Sequence, residues 1–223
     1  MKVRHSAAPL LLATLVVLAG CTGTLVDAKA SPATVPADAY ETAGYVHGNT
    51  TAVPLTYPVG KFGVTPDVKV TSYVSGYSKS VEGADGGSND TAALLVVSTP
   101  NARIAGQSVN PFAHATNAEL SERAFRLLDR VKGTSEYGEL GDLREIDRGE
   151  QAVLGDSVEV VTFAASATID GNATEVRIHV LSVEHGDDVV VALGVHEVGF
   201  DESAALRGLM ERIEHEVDPA ADA

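Results

Sequence analysis

The sequence predicts an α+β fold, an antiparallel β-sheet with two packed helices, and three observations support this prediction. Residues 68–78 alternate between aliphatic and polar or aromatic side chains, the period-two pattern of a strand. Residues 158–196 contain three apolar segments joined by short turns, as in a meander of hairpins. Residues 116–133 and 201–217 carry apolar side chains at helical spacing. The predicted order of elements is strands, a helix, three strands and a second helix. This order favours helices packed on one antiparallel sheet.

The chain begins with an export signal that ends in a lipidation motif. Lys2 and Arg4 precede an apolar run at residues 7–19, which is shorter than the roughly 18 residues that a membrane-spanning helix needs. Residues 18–21 read Leu-Ala-Gly-Cys, and Cys21 is the single cysteine. This motif resembles the lipobox of prokaryotic lipoproteins, which implies cleavage before Cys21 and lipid on its sulfur. The alternative is a chance free cysteine. No twin-arginine pair precedes the run, so general secretory export is expected.

The composition is strongly acidic. The chain has 16 basic and 31 acidic residues, a formal net charge of −15. This charge argues against nucleic-acid binding, because no basic face is available to neutralise phosphates. The scarcity of lysine and abundance of alanine and valine resemble proteins of salt-loving archaea, in which salt screens repulsion between surface carboxylates. An acidic exported domain from a non-halophile is the alternative.

The chain divides into four segments. Residues 1–20 are predicted to be the signal peptide, and residues 21–38 the lipidated cysteine with a flexible tether rich in small residues and proline. Residues 39–217 are predicted to form a single α+β domain, which is long enough to bury a core. Residues 218–223 are predicted to be a disordered tail.

The first half of the domain is predicted to be strands followed by one helix. Strands are expected at residues 44–47, 52–57, 68–78 and 92–98. Thr116 and Glu119 have the spacing of a capping box, in which each side chain accepts a hydrogen bond from the other residue's amide. This box predicts the start of the first helix.

The second half is predicted to be a loop, a meander and a helix. Residues 134–150 are polar and are predicted to be loop, and strands are expected at 158–169, 174–183 and 188–196. A turn centred on residues 186–187 would place His179 opposite Gly194 and His196 opposite Arg177. Asp201 is expected to cap the last helix.

Three stretches resemble a family of exported haloarchaeal lipoproteins of unknown function. They are residues 44–47 (Gly-Tyr-Val-His), residues 98–100 (Ser-Thr-Pro) with 106–111 (Gly-Gln-Ser-Val-Asn-Pro), and residues 183–187 (Val-Glu-His-Gly-Asp). The resemblance covers about residues 40–215. The order of elements is similar to the PsbP-like fold. Neither resemblance implies a chemistry, because a fold does not determine a function.

No catalytic or metal-binding pattern is recognised. The segment at residues 106–110 lacks the second glycine of a nucleophile elbow. His179, His185 and His196 share one hairpin, but their spacing is not that of a metal-ligand set, and the arginine beside His196 disfavours a cation. We therefore predict no metal and no cofactor.

Two sets of residues are singled out. Gln107, Ser108 and Asn110 lie in a polar loop between a buried strand and a capped helix, where a ligand-binding loop is often found. The alternative is that these side chains bind the loop's own backbone. Glycosylation acceptors are predicted at three sequons in expected loops or turns, Asn49, Asn89 and Asn172, with chance occurrence as the alternative.

The predicted function is a lipid-anchored, non-catalytic binding or assembly module on the outer face of the cell membrane. It would be attached through lipid on Cys21 and would bind a protein or small-molecule ligand. One alternative is a surface hydrolase or metal-dependent enzyme with an unrecognised site, which clustering of His179, His196 and acidic side chains around one pocket would favour. Another is a structural component of the cell envelope.

Overall fold

A computed structural model describes most of the region after the predicted signal peptide. The described residues are 26–58, 67–82, 88–104, 106–132, 137–169 and 172–216. Cys21, the signal peptide and the predicted tail lie outside them. Within these ranges, no helix combines the length and apolar character needed to cross a membrane.

The described chain consists of long strands and short helices. The strands are β1 Val26–Lys29, β2 Ala33–Thr34, β3 Val46–Pro58, β4 Asp67–Glu82, β5 Ser88–Pro100, β6 Arg103–Ile104, β7 Gln107–Ser108, β8 Tyr137–Leu140, β9 Arg144–Val153, β10 Asp156–Ile169, β11 Asn172–His185, β12 Asp188–Glu197 and β13 Glu214–His215. The helices are α1 Ala37–Thr42, α2 Asn117–Lys132 and α3 Ser203–Glu211.

Nine of these strands form one mixed sheet. Strands β3, β4, β5, β12, β11, β10 and β9 lie side by side in that order and pair antiparallel. Strand β1 pairs parallel with the beginning of β4, and β8 pairs with the end of β10. Two small pairs, β2 with β13 and β6 with β7, lie outside this sheet.

The prediction of an α+β fold with two helices on an antiparallel sheet, or of a PsbP-like arrangement, is wrong. The described part of the chain is mostly strand, 61% against 16% helix, and the main sheet is mixed. The segment at 134–150, predicted to be loop, contains β8 and most of β9. Strand β9 is an edge strand with exposed side chains over most of its length, so it lacks the apolar alternation that marks a half-buried strand.

The meander from β10 to β12 has the predicted register. His179 lies opposite Gly194 and Arg177 lies opposite His196. The turn is centred on residues 186–187, and Gly186 has a φ of 60°, a conformation that glycine adopts without strain. The turn chemistry was therefore sufficient to predict which side chains of this hairpin are neighbours.

The capping box of α2 is confirmed. The amide of Thr116 donates to the Glu119 carboxylate over 2.9 Å, and the amide of Glu119 donates to the Thr116 hydroxyl over 3.3 Å. These bonds from Thr116 hold the pKa of Glu119 below its usual range. The helix then buries Leu120 and Ala124 against the sheet.

Both faces of the sheet are covered. On the back face, α2 packs on a core that includes Leu95, Ile178, Val180 and Leu193. On the front face, α1, α3 and strand β2 pack on a second core that includes Tyr45, Leu94, Val96 and Leu181. Alternation of side chains along each strand separates the two cores.

Part of the predicted tether is integrated into the domain. Strand β1 pairs with β4, and the amide of Ser31 donates to the carboxylate of Asp188 over 2.8 Å. His215 Nε2, in β13, donates to the same carboxylate oxygen over 3.0 Å. Asp188 therefore holds both ends of the described chain on the sheet, and the folded region begins before residue 39.

Candidate functional site

A cavity of about 370 Å³ opens on the front face where β9 to β12 meet the beginning of α3. Its size is within the range of small-molecule pockets. Its polar lining includes Thr162, Arg177, His179, His196, Ser203 and Arg207. We call it the arginine–histidine cavity.

The meander provides the floor of the cavity. Thr162 of β10 lies opposite His179 of β11, and Arg177 of β11 lies opposite His196 of β12. Since side chains two apart on a strand share a face, Arg177 and His179 both point to the front face. The register of this hairpin thus assembles four polar side chains on one surface.

Helix α3 forms a wall of the cavity because Gly194 allows it to approach β12 closely. A Cβ atom at position 194 would lie 3.1 Å from Met210 Cε and 3.3 Å from Leu206 Cβ. Such contacts are tighter than ordinary van der Waals packing. The glycine therefore helps to bring Ser203 and Arg207, on the same helix, next to the histidines.

His179 is the most unusual side chain of the cavity. It is only 3% exposed, its Nδ1 lies 3.0 Å from Thr162 Oγ1, and its Nε2 has no hydrogen-bond partner among the described residues. Burial, followed by the charges of His196 and Arg207, lowers the pKa of His179 to about 4, so the ring is neutral at pH 7. A buried polar atom without a partner costs about 1–3 kcal/mol. His179 therefore keeps a buried hydrogen-bonding atom without a partner among the described residues.

His196 is held by the loop between β12 and α3. Its Nδ1 lies 2.8 Å from the carbonyl oxygen of Phe200 and 3.0 Å from that of Glu197. Because carbonyls only accept, Nδ1 carries the hydrogen. In the neutral ring Nε2 then accepts a hydrogen bond from Ser203 Oγ, 3.0 Å away. The rings of His179 and His196 are stacked with centroids 5.5 Å apart.

The two arginines of the cavity differ in their surroundings. Arg207 Nε donates to Gln151 Oε1 over 3.2 Å, and its Nη1 lies 3.9 Å from Asp147 Oδ2. Arg177 has no hydrogen bond or ion pair with any residue that the structure describes. A guanidinium has five donors and a permanent charge. Arg177 is therefore available to an anionic ligand.

Acidic side chains lie beside these groups. Asp147 and Asp201 line the cavity, and Asp201 Oδ1 accepts the amide hydrogen of Ser203 over 3.1 Å. The nearby hydroxyl of Ser203, followed by its amide, lowers the pKa of Asp201. In the described ranges, no group of three His, Cys, Asp or Glu side chains is arranged to hold a metal ion.

The predicted loop residues lie at the opposite end of the sheet from the cavity. Ser108 Oγ donates to Asn101 Oδ1 over 2.6 Å. The side-chain amide of Asn110 donates to the carbonyl of Pro100 over 2.8 Å and accepts from the Phe112 amide over 2.8 Å. Gln107 is exposed. The polar groups of Ser108 and Asn110 thus serve the loop itself.

The sequons lie in strands. Asn49 is exposed in β3, at a shift in the register with β4. Asn89 belongs to β5 and Asn172 begins β11, but their side chains lie outside the described residues. Glycosylation at these sites stays a prediction, as does lipidation of Cys21.

Sequence reasoning singled out His179 and His196 but missed their partners. Arg207 and Ser203 come from α3 and Asp147 from β9, so no local spacing connects them to the hairpin. One signal was present, because the predicted register placed Arg177 beside His196. An arginine beside His196 disfavours a cation, and for the same reason it favours an anion.

The comparisons with known proteins indicate a family and no activity. No curated protein matches the chain. The crystal structure of PA94, a protein of unknown function from Pseudomonas aeruginosa, covers 74% of this chain and 99% of its own at 11% identity, with a TM-score of 0.32. Residues 32–214 match the family described as Domain of unknown function (DUF6517). Because this match spans most of the sequence, the chain belongs to the DUF6517 family.

Proposed function

We propose that this protein is an exported haloarchaeal lipoprotein, anchored by lipid on Cys21 to the outer face of the cell membrane, that binds a small oxyanion in the arginine–histidine cavity. The lipobox at residues 18–21 supports the anchor. The observation that carries the binding function is Arg177, which has no partner among the described residues and lines one cavity with Arg207 and the two histidines.

The position of Arg177 supports an anionic ligand, in a cavity whose two arginines and two aspartates balance in formal charge. The chain as a whole has a net charge of −15, so a guanidinium without an acidic partner among the described residues is contrary to the general trend. The carboxylate of Asp147 lies near Arg207, and that of Asp201 accepts from Ser203. Arg177 remains to bind a carboxylate or phosphate group, which a guanidinium matches with two parallel hydrogen bonds.

Titration calorimetry with inorganic phosphate and with succinate tests this proposal. Arg177→Gln should weaken binding about tenfold to a hundredfold, the equivalent of one charge-assisted hydrogen bond. Arg103→Gln is the matched control, because Arg103 pairs on the surface with Glu184 at the other end of the sheet. Equal affinities of the two variants for both anions would contradict the proposal.

A surface hydrolase is the second candidate. It is favoured by the clustering of His179, His196 and two aspartates around one cavity, and by the hydrogen bond between Ser203 and His196. A hydroxyl 3.0 Å from an imidazole that is itself oriented by carbonyls is the arrangement of a nucleophile and its base. The position of Asp201 disfavours a hydrolase. Its carboxylate attracts the same hydroxyl and would repel an oxyanion formed at Ser203.

A fluorophosphonate reagent separates the two candidates. If Ser203 is a nucleophile, the wild-type protein will be labelled at Ser203 and Ser203→Ala will not be labelled. If the protein is a binding module, neither will be labelled and Ser203→Ala will still bind anions.

A further inference from the structure

We propose that the lipid on Cys21 holds one end of the sheet next to the bilayer and directs the arginine–histidine cavity away from it, towards water-soluble ligands. We call the membrane-side end the β1 end; it contains Val26, Pro58, Pro100 and Asp188. This inference rests on the lipid anchor of the proposed function.

The register of the sheet defines the β1 end. Val26 pairs with Val68, at the beginning of β4, and Pro58 pairs with Asp67 beside it. On the other side of β4, Pro100 ends β5 and lies opposite Asp188, the first residue of β12. The chain therefore enters the sheet at the end where β3 and β5 finish and β12 begins.

The cavity lies towards the other end. The level of His179 can be followed across the sheet from β11 to β4. His179 pairs with Gly194 of β12, Gly194 pairs with Leu94 of β5, and Leu94 pairs with Tyr77 of β4. His179 is thus at the level of Tyr77, nine positions along β4 from Val68. At the rise of a β-strand, nine residues correspond to about 30 Å.

The connection between the lipid and the sheet is short. Four residues, 22–25, separate Cys21 from Val26. Even a fully extended chain would separate the Cα atoms of these two residues by at most about 18 Å. This reach is less than the distance along the strands from Val26 to the level of His179, so the β1 end remains the part of the domain nearest the anchor.

The charge of the domain disfavours lying flat on the membrane. Without residues 1–20, the chain loses Lys2 and Arg4 and retains 14 basic and 31 acidic residues, a net charge of −17. A flat orientation would bring a larger part of this acidic surface against anionic headgroups, and at molar salt, where the Debye length is about 3 Å, only such close approaches are repulsive. Contact through the β1 end alone reduces this repulsion. The cavity then faces the aqueous phase.

Tryptophan fluorescence can measure this orientation, because the chain has no tryptophan. Two single substitutions place one at each end: Glu184→Trp, one residue from the end of β11, and Phe200→Trp, between β12 and α3. These side chains are 57% and 43% exposed. The exposed ion pair of Glu184 with Arg103 contributes little to stability.

The experiment uses the lipidated protein purified from the membranes of producing cells. It is reconstituted into vesicles of phosphatidylcholine and phosphatidylglycerol that contain a dansyl-labelled headgroup. Energy transfer from tryptophan to dansyl falls steeply with distance. We expect transfer to be several-fold stronger from Glu184→Trp than from Phe200→Trp. A glycine–serine extension between residues 25 and 26 should remove most of this difference, because it lengthens the connection.

Each contrary outcome has a distinct meaning. Equal or reversed transfer in vesicle-bound protein would overturn the orientation and leave the anchor intact. If the difference in energy transfer between the two variants stays unchanged in the extended protein, the short connection is not the cause of the orientation. Failure of the purified protein to associate with vesicles would overturn the anchor, and the orientation with it.

Discussion

Acid should destabilise the domain through His179. Burial and the charges of His196 and Arg207 lower the pKa of His179 to about 4 in the folded protein, whereas an unfolded histidine has a pKa of about 6.5. Between these values the unfolded chain binds a proton that the folded chain does not bind. The stability contributed by the neutral ring is therefore complete above about pH 6.5 and is lost as the pH falls towards 4.

The expected magnitude follows from the difference between the two pKa values. One pKa unit corresponds to about 1.4 kcal/mol, so the full displacement corresponds to about 3 kcal/mol. Between pH 7 and pH 5 the loss should be about 2 kcal/mol. Carboxylates have ordinary pKa values of about 4, below this pH range. Their titration therefore contributes little to the change in stability between pH 7 and pH 5.

Urea denaturation at pH 7, 6 and 5 tests this prediction. The protein would be the chain from residue 21 with Cys21→Ser, alone and combined with His179→Gln, which keeps a polar partner for Thr162. We expect the His179→Gln protein to lose about 2 kcal/mol less than its parent over this range. His114→Gln is the control, because that ring is exposed. Parallel pH profiles for the parent and His179→Gln would refute the reasoning.

Three further predictions concern the anchor, the core and the surface. Cys21→Ser should release the protein from the membrane or leave its precursor uncleaved, and cell fractionation with immunoblotting will show which; a cleaved serine variant that stays membrane-bound would contradict lipidation. Leu209→Ala, which removes a side chain buried under α3, should lower the free energy of unfolding by about 2–5 kcal/mol, whereas a loss below about 0.5 kcal/mol would mean that α3 does not pack on the sheet. The melting temperature should rise steadily from dilute buffer to molar potassium chloride, because the Debye length shrinks from about 30 Å at 0.01 M to about 3 Å at 1 M and screens the carboxylates; a melting temperature independent of salt would refute the halophilic interpretation.

Local chemistry explains the elements that were predicted correctly. The capping box at Thr116 and Glu119 needs only residues three apart, and both of its amide bonds are formed. The hairpin turn at residues 186–187 sets the register of β11 and β12, so the facing pairs follow from the position of the turn alone. In both cases the interacting groups are close in the sequence.

The strands that were missed have little local signature. Strand β1 has four residues, and its parallel partner begins about 40 positions later in the chain. Strand β9 exposes most of its side chains. Such edge strands are held by backbone hydrogen bonds to a neighbour, and these bonds do not depend on an apolar side-chain pattern. Their absence from the prediction led to the wrong fold class.

The sequence by itself determined the acidic composition, the capped helix and the pairing within the β11–β12 hairpin, and it predicts an export signal with a lipobox. These features depend on composition or on residues that are near one another in the chain. Only the tertiary structure decided that β9 and α3 place Asp147, Ser203 and Arg207 around His179 and His196. Those contacts join separate elements through the packing of α3 over Gly194, and no local pattern specifies a distance between elements that are far apart in sequence.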